Sequence, residues 1–392
     1  MIHQPLYQLC DFRSGGTPSK AQPAFWAGDI PWISPKDMKS ASIADAADHI
    51  SDAAIHDSAA SIVPPESILV VVRSGVLTHS FPIARALARV SFNQDIKALV
   101  PKQDLVDPQY LFWFVRSKAP DVVARGVKKG ATVHSVISGF LEELQVPILG
   151  RPEQRRIVDL LSRAEGIVRL RREAQRKAAE LIPAIFLDMF GDPATNPKHW
   201  PIVPLSELLA EPPVLGTMAK PSAEIARWLD LRVANIQGGQ LALDDKKWID
   251  LPKDQIKRFS LRDGDILLAR AIGSLDHLGK AIIVSPNGDW TFDSHLMRVR
   301  LNREKLLSVV FKTFLESSAG RKEFLKYTRR SAVQFNINGK ELRKIRVPLP
   351  PLDLQRQFAT KAEAVRGIIA RQAAALATAQ ANFDALLHQA FA

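Results

Sequence analysis

The sequence is poor in cysteine and in long apolar runs. Cys10 is its one cysteine, which excludes intramolecular disulfide bonds and a cysteine-rich zinc site. The longest apolar stretches, such as residues 68–72, are far shorter than the ~20 residues that a membrane-spanning helix needs. Residues 1–12 also lack the basic and apolar segments of a signal peptide. We therefore expect a cytoplasmic protein that contacts no membrane.

Acidic side chains are fewer than basic ones. The 392 residues include 41 Asp and Glu against 53 Lys and Arg, a formal net charge of +12. An excess of this size favours a polyanionic partner, of which nucleic acid is the commonest. The length and the ordinary share of hydrophobic residues indicate a globular chain with two domains or a repeated unit.

Catalytic and ligand-binding motifs are missing as well. Residues 107–110 read Asp-Pro-Gln-Tyr, one residue away from the Asp-Pro-Pro-Tyr motif of amino-methyltransferases, but a helix start explains them better, with Asp as N-cap and Pro next. The glycine-bounded segment 273–280 does not fit a phosphate-binding loop, and the histidines show no metal-ligand spacing. We expect no catalytic, cofactor-binding or metal-binding residue in this chain.

The chain is an imperfect duplication. Residues 146–155 read VPILGRPEQR and residues 347–356 read VPLPPLDLQR, an offset of 201 residues. Each copy precedes a long helical pattern in which apolar residues follow 4-3 spacing, from Ile157 to Met189 and from Phe358 to Ala390. Such spacing is typical of a coiled coil. We expect the two helices to pair antiparallel, with a break or kink at Pro183; the alternative is that each helix packs on its own domain.

The segments before each helix are mixed. Strands are predicted at residues 68–72, 86–90, 96–100, 266–269, 281–284 and 296–301. The predicted fold class is α+β, with two mixed α/β recognition domains separated by two long helices that pair as an antiparallel coiled coil with pseudo-twofold symmetry. The predicted limits are 1–146 for the first domain, 147–197 for the first helix, 198–346 for the second domain and 347–392 for the second helix.

Three groups of residues make the chain resemble a known family. They are Gly15-Gly16-Thr17-Pro18 with residues 25–26 and 29–33, residues 231–236 with 264–270, and the duplicated helix entry with Val347-Pro348-Leu349-Pro350-Pro351 as its fuller form. In this order they resemble the specificity (S) subunit of a Type I restriction–modification system. The resemblance covers nearly the whole chain.

The resemblance implies a function without catalysis. Such a subunit reads a split target in double-stranded DNA with its two recognition domains, and its helices set the gap between the half-sites. It holds two methyltransferase (M) subunits, which modify adenine with S-adenosylmethionine, and restriction (R) subunits that use ATP and Mg²⁺ can join. The alternative from the residues alone is a stand-alone DNA-binding regulator or scaffold with a coiled-coil spacer.

Candidate DNA contacts follow from charge and position. Lys and Arg bind phosphates, whereas side chains that reach base edges discriminate sequence, and loops at strand ends present both. For each residue the alternative is a solvated surface group. Trp26 and Trp32 could stack on bases, although a place in the core is preferred. The candidates are Arg73, Ser74, His79, Lys128, Lys129, Thr132, His134, Arg270, Ser274, Arg298, Arg300, Arg329, Arg330 and Gln334.

Candidate partner contacts lie near the ends of the helices. The apolar pairs Ile185–Phe186 and Leu386–Leu387 are predicted to anchor the methyltransferase subunits. They could equally cap the coiled coil.

Overall fold

The computed structural model describes residues 2–221, 226–237, 239–275, 277–330 and 334–392. It forms two compact units. Unit 1 contains Met1–Arg172 and Ala375–Ala392, and unit 2 contains Glu173–Ala374. Each of the two long helices therefore contributes one part to each unit. The domain limits predicted from the sequence stay a prediction.

Unit 1 is built on a five-stranded sheet with the order β2-β11-β7-β9-β4 and a four-stranded sheet with the order β5-β3-β10-β6. The strands are β1 (Ile2–Pro5), β2 (Cys10–Ser14), β3 (Ile30–Ile33), β4 (Ser42–Ile43), β5 (Asp48–Ile50), β6 (Ile62–Val63), β7 (Ile68–Val71), β8 (Arg73–Ser74), β9 (Ile83–Ala86), β10 (Val90–Phe92), β11 (Ile96–Pro101), β12 (Val127–Lys128), β13 (His134–Val136) and β14 (Gln145–Ile148). The helices are α1 (Leu6–Leu9), α2 (Asp52–Asp57), α3 (Pro108–Ser117), α4 (Ala119–Arg125), α5 (Ser138–Glu142) and the first part of α6 (Arg151–Phe190).

Unit 2 repeats this plan. Its main sheet has the order β16-β25-β21-β23, and a second sheet has the order β20-β17-β24. The strands are β15 (Ile202–Pro204), β16 (Leu209–Leu215), β17 (Trp228–Leu231), β18 (Ile236–Gln237), β19 (Gln240–Leu241), β20 (Lys247–Ile249), β21 (Ile266–Ala269), β22 (Ala271–Ile272), β23 (Ala281–Ile283), β24 (Trp290–Phe292), β25 (Leu296–Leu301), β26 (Arg329–Arg330), β27 (Phe335–Asn336) and β28 (Arg346–Pro348). The helices are α7 (Lys253–Phe259), α8 (Ser308–Glu316), α9 (Ser318–Leu325), α10 (Gly339–Leu342) and α11 (Leu352–Phe391).

The central strand of each main sheet is buried on both faces. All four residues of β7 are buried, and so are all four of β21. Alternate side chains of each strand enter different core clusters: Ile68 and Val70 in one, Leu69 and Val71 in another, Ile266 and Leu268 in a third, Leu267 and Ala269 in a fourth. Because side chains alternate across a strand, continuous apolar runs here predict strands that are covered on both sides.

The predicted start of α3 is confirmed. The Asp107 carboxylate accepts hydrogen bonds from the backbone N–H groups of Gln109 and Tyr110 at 2.9 and 3.1 Å. These bonds satisfy two of the donors that a helix start leaves open. The structure therefore gives this motif the role of a cap.

The duplicated helix entry has the same structural role in each unit. Gln154 is buried, accepts from the N–H of Asp107 at 2.9 Å and donates to the carbonyl of Leu149 at 2.8 Å. In unit 2, Gln355 is buried, accepts from the N–H of Leu307 at 3.0 Å and donates to carbonyls in the loop before α11 and in the loop before α8. Each glutamine thus joins the start of a short domain helix to the start of a long helix, which explains why the motif occurs twice.

The long helices are each 40 residues, and α6 continues through Pro183 without a break. In unit 1 the N-terminal part of α6 shares a core cluster with Phe383 and Phe391 near the end of α11. In unit 2 Phe186 and Phe190 at the end of α6 pack on Phe358 at the start of α11, with ring centroids 5.6 and 5.3 Å apart. In both units the beginning of one helix meets the end of the other, so the predicted antiparallel pairing is confirmed.

Most predicted strands occur where expected, but one does not. Residues 86–90 span the end of β9, a bend and the start of β10, and Leu87 is 47% exposed. The run is apolar, yet its middle connects two strands that lie in different sheets. Hydrophobicity alone did not separate a strand from this connection.

Candidate nucleic-acid interface

Two distant segments of unit 1 form a small antiparallel sheet that carries most of the contacts predicted in this unit. Strand β13 lies between β8 and β12, so that His134 pairs with Ser74, while Ser135 pairs with both Arg73 and Lys128. Strand β8 follows the buried strand β7, whereas β12 and β13 come more than 50 residues later. The structure therefore brings together residues that the sequence could only suggest separately. We call this surface, with its adjoining loops, the unit 1 basic sheet.

The loops beside the unit 1 basic sheet are ordered by local hydrogen bonds. Ser74 caps the turn at Gly75–Thr78, accepting from the N–H of Val76 at 3.3 Å. The N–H of Gly130 donates to Nδ1 of His134 at 3.1 Å. A side chain at Gly75 would lie 3.5 Å from the carbonyl oxygen of Thr132. The two loops are therefore neighbours, and His79 and Lys129 lie exposed at their edges.

The cations of this surface are available to a ligand. Arg73, Lys128 and Lys129 are exposed, and within the described part of the chain none of them forms an ion pair. An unpaired, hydrated cation loses no internal partner when it contacts a phosphate. The arrangement therefore suits the sequence-independent part of DNA binding, in which cations displace counterions.

Unit 2 has a corresponding sheet, in which β27 lies between β22 and β26. Arg329 and Arg330 are exposed on β26, and Gln334 precedes β27. Arg329 lies 3.6 Å from Glu341, and the Arg330 guanidinium lies over the ring of Phe335 at 5.5 Å from its centroid. Residues 331–333 lie outside the described part. We call this the unit 2 basic sheet.

Arg270 and Ser274 are more tied to their surroundings. Arg270 is half-buried and donates from Nε to the carbonyl of Ser294 at 2.8 Å. Its own carbonyl accepts from Ile337. The carbonyl of Ser274 accepts from the N–H of His277 in a turn. Both residues lie beside the unit 2 basic sheet, where they shape the backbone.

Two predicted contacts need correction. Arg298 is 1% exposed, donates to the carbonyls of Arg258 and Ser260 at 2.9 Å each, and pairs with Glu211. Burial and the neighbouring Arg300 lower its pKa. The side chain of Arg300 is 12% exposed and pairs with Asp265 at 2.7 Å. The alternating pattern of β25 suggested a polar outer face, but both faces of this sheet are covered, so these arginines form a buried ion network.

The residues predicted to contact a partner are buried or half-buried. Phe186 is 4% exposed and packs against Phe190 and Phe358, so it belongs to the core of unit 2, and Ile185 packs beside that core. Leu386 and Leu387 are half-buried against the core of unit 1. For Phe186, capping the helix pair is therefore the role that burial supports.

An apolar stripe on α6 was not predicted from the sequence. Leu160, Ile167 and Leu170 are 39%, 53% and 61% exposed, and their spacing of seven and three places them on one helix face. They lie outside the buried seam that contains Ile157, Leu161 and Val168. These three residues form a second row of apolar side chains at helical spacing, next to the row of the buried seam. That second row was the sequence pattern from which the stripe could have been predicted.

Unit 1 also contains an open groove of about 810 Å³ beside the paired helices. Apolar and charged side chains share its wall, and Arg116 pairs there with Glu165. The charged lining residues are Lys39, Arg116, Glu165, Arg169, Arg172 and Asp384. Cations outnumber carboxylates, so the groove extends the basic character of unit 1.

The described residues contain neither a metal-ligand cluster nor a reactive thiol. Among them, no three His, Cys, Asp or Glu side chains come together as metal ligands. No helix in the described part is long and apolar enough to cross a bilayer. Burial raises the pKa of the Cys10 thiol to about 12, so this thiol stays protonated and poorly nucleophilic at neutral pH.

The chain is similar in sequence to known proteins over part of its length. Residues 4–179 match the family model for the Type I restriction modification DNA specificity domain. The chain is 34% identical over 177 residues to the EcoR124I/EcoR124II specificity subunit of Escherichia coli, which covers 45% of this chain and 44% of that protein. It is 27% identical over 198 residues to the MjaIX specificity subunit of Methanocaldococcus jannaschii, covering 50% and 42%. The matched segment spans less than half the length of these two relatives.

Solved structures show the same fold over the full length. An S subunit of the Type I restriction–modification system from M. genitalium superposes with a TM-score of 0.55 at 13% identity, covering 100% of this chain and 96% of that one. A chain from a study of assembly and conformational transition of the Type I system gives 0.59 at 16% identity, covering 100% and 97%. Over residues 4–179, the chain is therefore similar in sequence to the Type I restriction modification DNA specificity domain.

Proposed function

We propose that this chain is the DNA specificity subunit of a Type I restriction–modification complex. It reads a two-part target in double-stranded DNA and positions methyltransferase subunits that modify adenine at N6. The observation that carries the proposal is the repeated plan of the two units, each of which presents a small basic sheet next to its buried central strand. The similarity of residues 4–179 to the Type I restriction modification DNA specificity domain supports the proposal.

Within this proposal, the two basic sheets divide the work of binding. On the unit 1 basic sheet, Arg73, Lys128 and Lys129 contact phosphates, because they are exposed and form no ion pair with described residues. Shorter polar side chains beside them contact base edges, where hydrogen bonds discriminate sequence. These are Ser74, His79, Thr132 and His134.

On the unit 2 basic sheet, Arg329 and Arg330 contact phosphates and Gln334 contacts a base. Arg270 and Ser274 support this sheet indirectly, through the hydrogen bonds that hold the backbone beside it. Arg298 and Arg300 have no part in binding DNA, because their guanidinium groups are committed to the buried network with Glu211 and Asp265.

The chain supplies recognition, and its partners supply chemistry. Two methyltransferase subunits with S-adenosylmethionine would bind the long helices, and restriction subunits with ATP and Mg²⁺ would join them. The stripe of Leu160, Ile167 and Leu170 is a suitable contact for the first of these, because exposed apolar side chains on a helix favour a protein partner. Ile185, Leu386 and Leu387 remain secondary candidates.

Co-expression with a methyltransferase encoded by a neighbouring gene tests the proposal. Sequencing that detects N6-methyladenine should show methylation at a two-part motif, which disappears when this chain is omitted. A domain exchange sharpens the result, because replacing residues 1–146 by those of a relative should alter one half-site and leave the other unchanged. Methylation that does not depend on this chain, or sequence-specific binding by the chain alone with no effect on methylation, would instead favour a stand-alone regulator.

A further inference from the structure

A pocket in unit 1 lies apart from the basic sheet. It is lined by Lys20, Pro23, Trp26, Trp32 and Asp48 and has a volume of about 350 Å³, within the range of small-molecule sites. None of these residues belongs to the surfaces assigned above. The pocket combines an aromatic wall with one cation and one carboxylate, a combination that the proposed function leaves unexplained.

The two indole rings of this pocket are held in place by their own N–H groups. Nε1 of Trp32 donates to the carbonyl of Gly16 at 3.0 Å, and Nε1 of Trp26 donates to the carbonyl of Ser19 at 3.2 Å. The ring centroids are 5.1 Å apart and the planes meet at 79°. Both donors are already used. Trp32 is 7% exposed and lies in the core, as the sequence favoured, whereas Trp26 is half-buried, so Trp26 offers a ligand most of the accessible carbon surface.

The turn that carries Trp26 is anchored to the strand and helix next to it. The hydroxyl of Ser51 donates to the carbonyl of Ala24 at 2.8 Å, and the N–H of Ser51 donates to the carbonyl of Phe25 at 2.9 Å. At Gly28 a Cβ would collide with the carbonyl oxygen of Ile50, so the backbones are in close contact. A wall fixed in this way binds a flat ring with little ordering cost.

The charged groups point to the kind of ring. Asp48 uses Oδ2 to accept from Lys36 at 2.7 Å, and its side chain is 43% exposed, so the carboxylate is accessible to a ligand. A carboxylate only accepts hydrogen bonds. Guanine presents two adjacent donors, N1–H and the 2-amino group, which one carboxylate accepts together. Adenine presents a donor beside an acceptor and fits less well.

Lys20 supplies the remaining feature of a nucleotide site. It is exposed at the pocket and forms no ion pair with any residue in the described ranges. The position of Trp32, opposite Ser91 on β10, is taken in unit 2 by Asp230, opposite Thr291 on β24. The indole pair is therefore a feature of unit 1.

We propose that this pocket binds an unpaired guanine base, with the ring against the Trp26 indole, Asp48 accepting from its edge and Lys20 facing its phosphate. The base could come from an extrahelical position in DNA or from a free guanine nucleotide. The proposal does not depend on the methyltransferase partners, and the isolated chain can test it.

Fluorescence anisotropy with labelled DNA tests the first source. Duplexes of one sequence are compared with no bulge, one bulged guanine or one bulged adenine. We expect the bulged guanine to raise affinity about tenfold over the paired duplex, the order expected for stacking one base on aromatic side chains. Trp26→Ala should remove this gain, and Asp48→Asn should abolish the preference for guanine over adenine. Trp248→Ala is the matched control, because Trp248 is a 43% exposed indole in unit 2.

Isothermal titration with GMP, guanosine and AMP tests the second source. Lys20→Ala leaves the pocket wall intact, so it should weaken GMP binding and leave guanosine unchanged. Binding of GMP without any gain from the bulged guanine would assign the pocket to free nucleotides. Equal gains in affinity for bulged guanine and bulged adenine would overturn the proposal. It would also be overturned if neither the bulged duplex nor GMP lost affinity on substitution of Trp26 and Asp48. If Trp26→Ala fails to fold, Asp48→Asn and Lys20→Ala still decide the outcome, because an unchanged preference for guanine and an unchanged affinity for GMP would overturn the proposal.

Discussion

Asp230 gives unit 2 a stability that depends on pH. The residue lies on β17 and is 3% exposed, and its Oδ1 has no hydrogen-bond partner among the described residues. Burial and the nearby Asp293 raise its pKa from 3.8 to about 7, whereas Arg232 opposes this rise. Thr291, its neighbour on β24, also has a buried oxygen without a partner among the described residues. Below about pH 7, the folded chain therefore favours the protonated form of this carboxyl group.

The size of the effect follows from linkage. A folded pKa above the unfolded one stabilises the protein fully at low pH, and this stability is lost as pH rises from about 4 to 7. A rise in the pKa from 3.8 to about 7 corresponds to about 4 kcal/mol of unfolding free energy as an upper bound. Asp230→Asn removes the charge and keeps the shape. Relative to the wild type, the free energy of unfolding of the variant should rise by up to about 1.4 kcal/mol per pH unit over that range, with no further rise above pH 8.

Urea unfolding at pH 4, 5, 6, 7 and 8, followed by tryptophan fluorescence, measures this difference. Asp244→Asn is the matched control, because Asp244 is an exposed aspartate in the same unit. Parallel profiles for the wild type and Asp230→Asn would refute the reasoning. A lower stability of Asp230→Asn at pH 8 would refute it as well.

Four further outcomes are expected. Arg73→Ala and Lys128→Ala should each weaken DNA binding on all sequences and reduce the slope of log K against log salt by about one, measured by anisotropy from 50 to 200 mM salt; an unchanged slope would remove that residue from the phosphate contacts. Gln355→Ala should cost about 1–3 kcal/mol in urea unfolding, because the buried N–H of Leu307 loses its acceptor; a neutral result would contradict the joining role of this side chain. Insertion of helical turns after Ala174, with matching turns in α11, should change the gap of the methylated motif in N6-methyladenine sequencing, and an unchanged gap would reject a spacing role for the helices. Leu170→Glu should reduce co-purification with a methyltransferase subunit while DNA affinity is retained, and undiminished co-purification would exclude the stripe as the contact.

Local chemistry along the chain was enough to predict several elements. The Asp-Pro start of α3, the buried strands β7, β11, β21 and β25, and the seams of both long helices follow from patterns within a few residues of each other. The duplicated entry at Gln154 and Gln355 was visible as a repeat, but its purpose was not, because both glutamines act on loops about 50 residues away.

The sequence by itself determined that the chain is duplicated, basic and built on two amphipathic helices, since composition, period and spacing are properties of the chain alone. Only the tertiary structure decided which polar groups remain free to bind. It buried Arg298 and Asp230, left Arg73 and Lys128 exposed on one sheet, and placed Trp26 against Trp32. The physical reason is that the burial of a side chain depends on which distant segments pack against its strand. The local sequence pattern does not specify those segments.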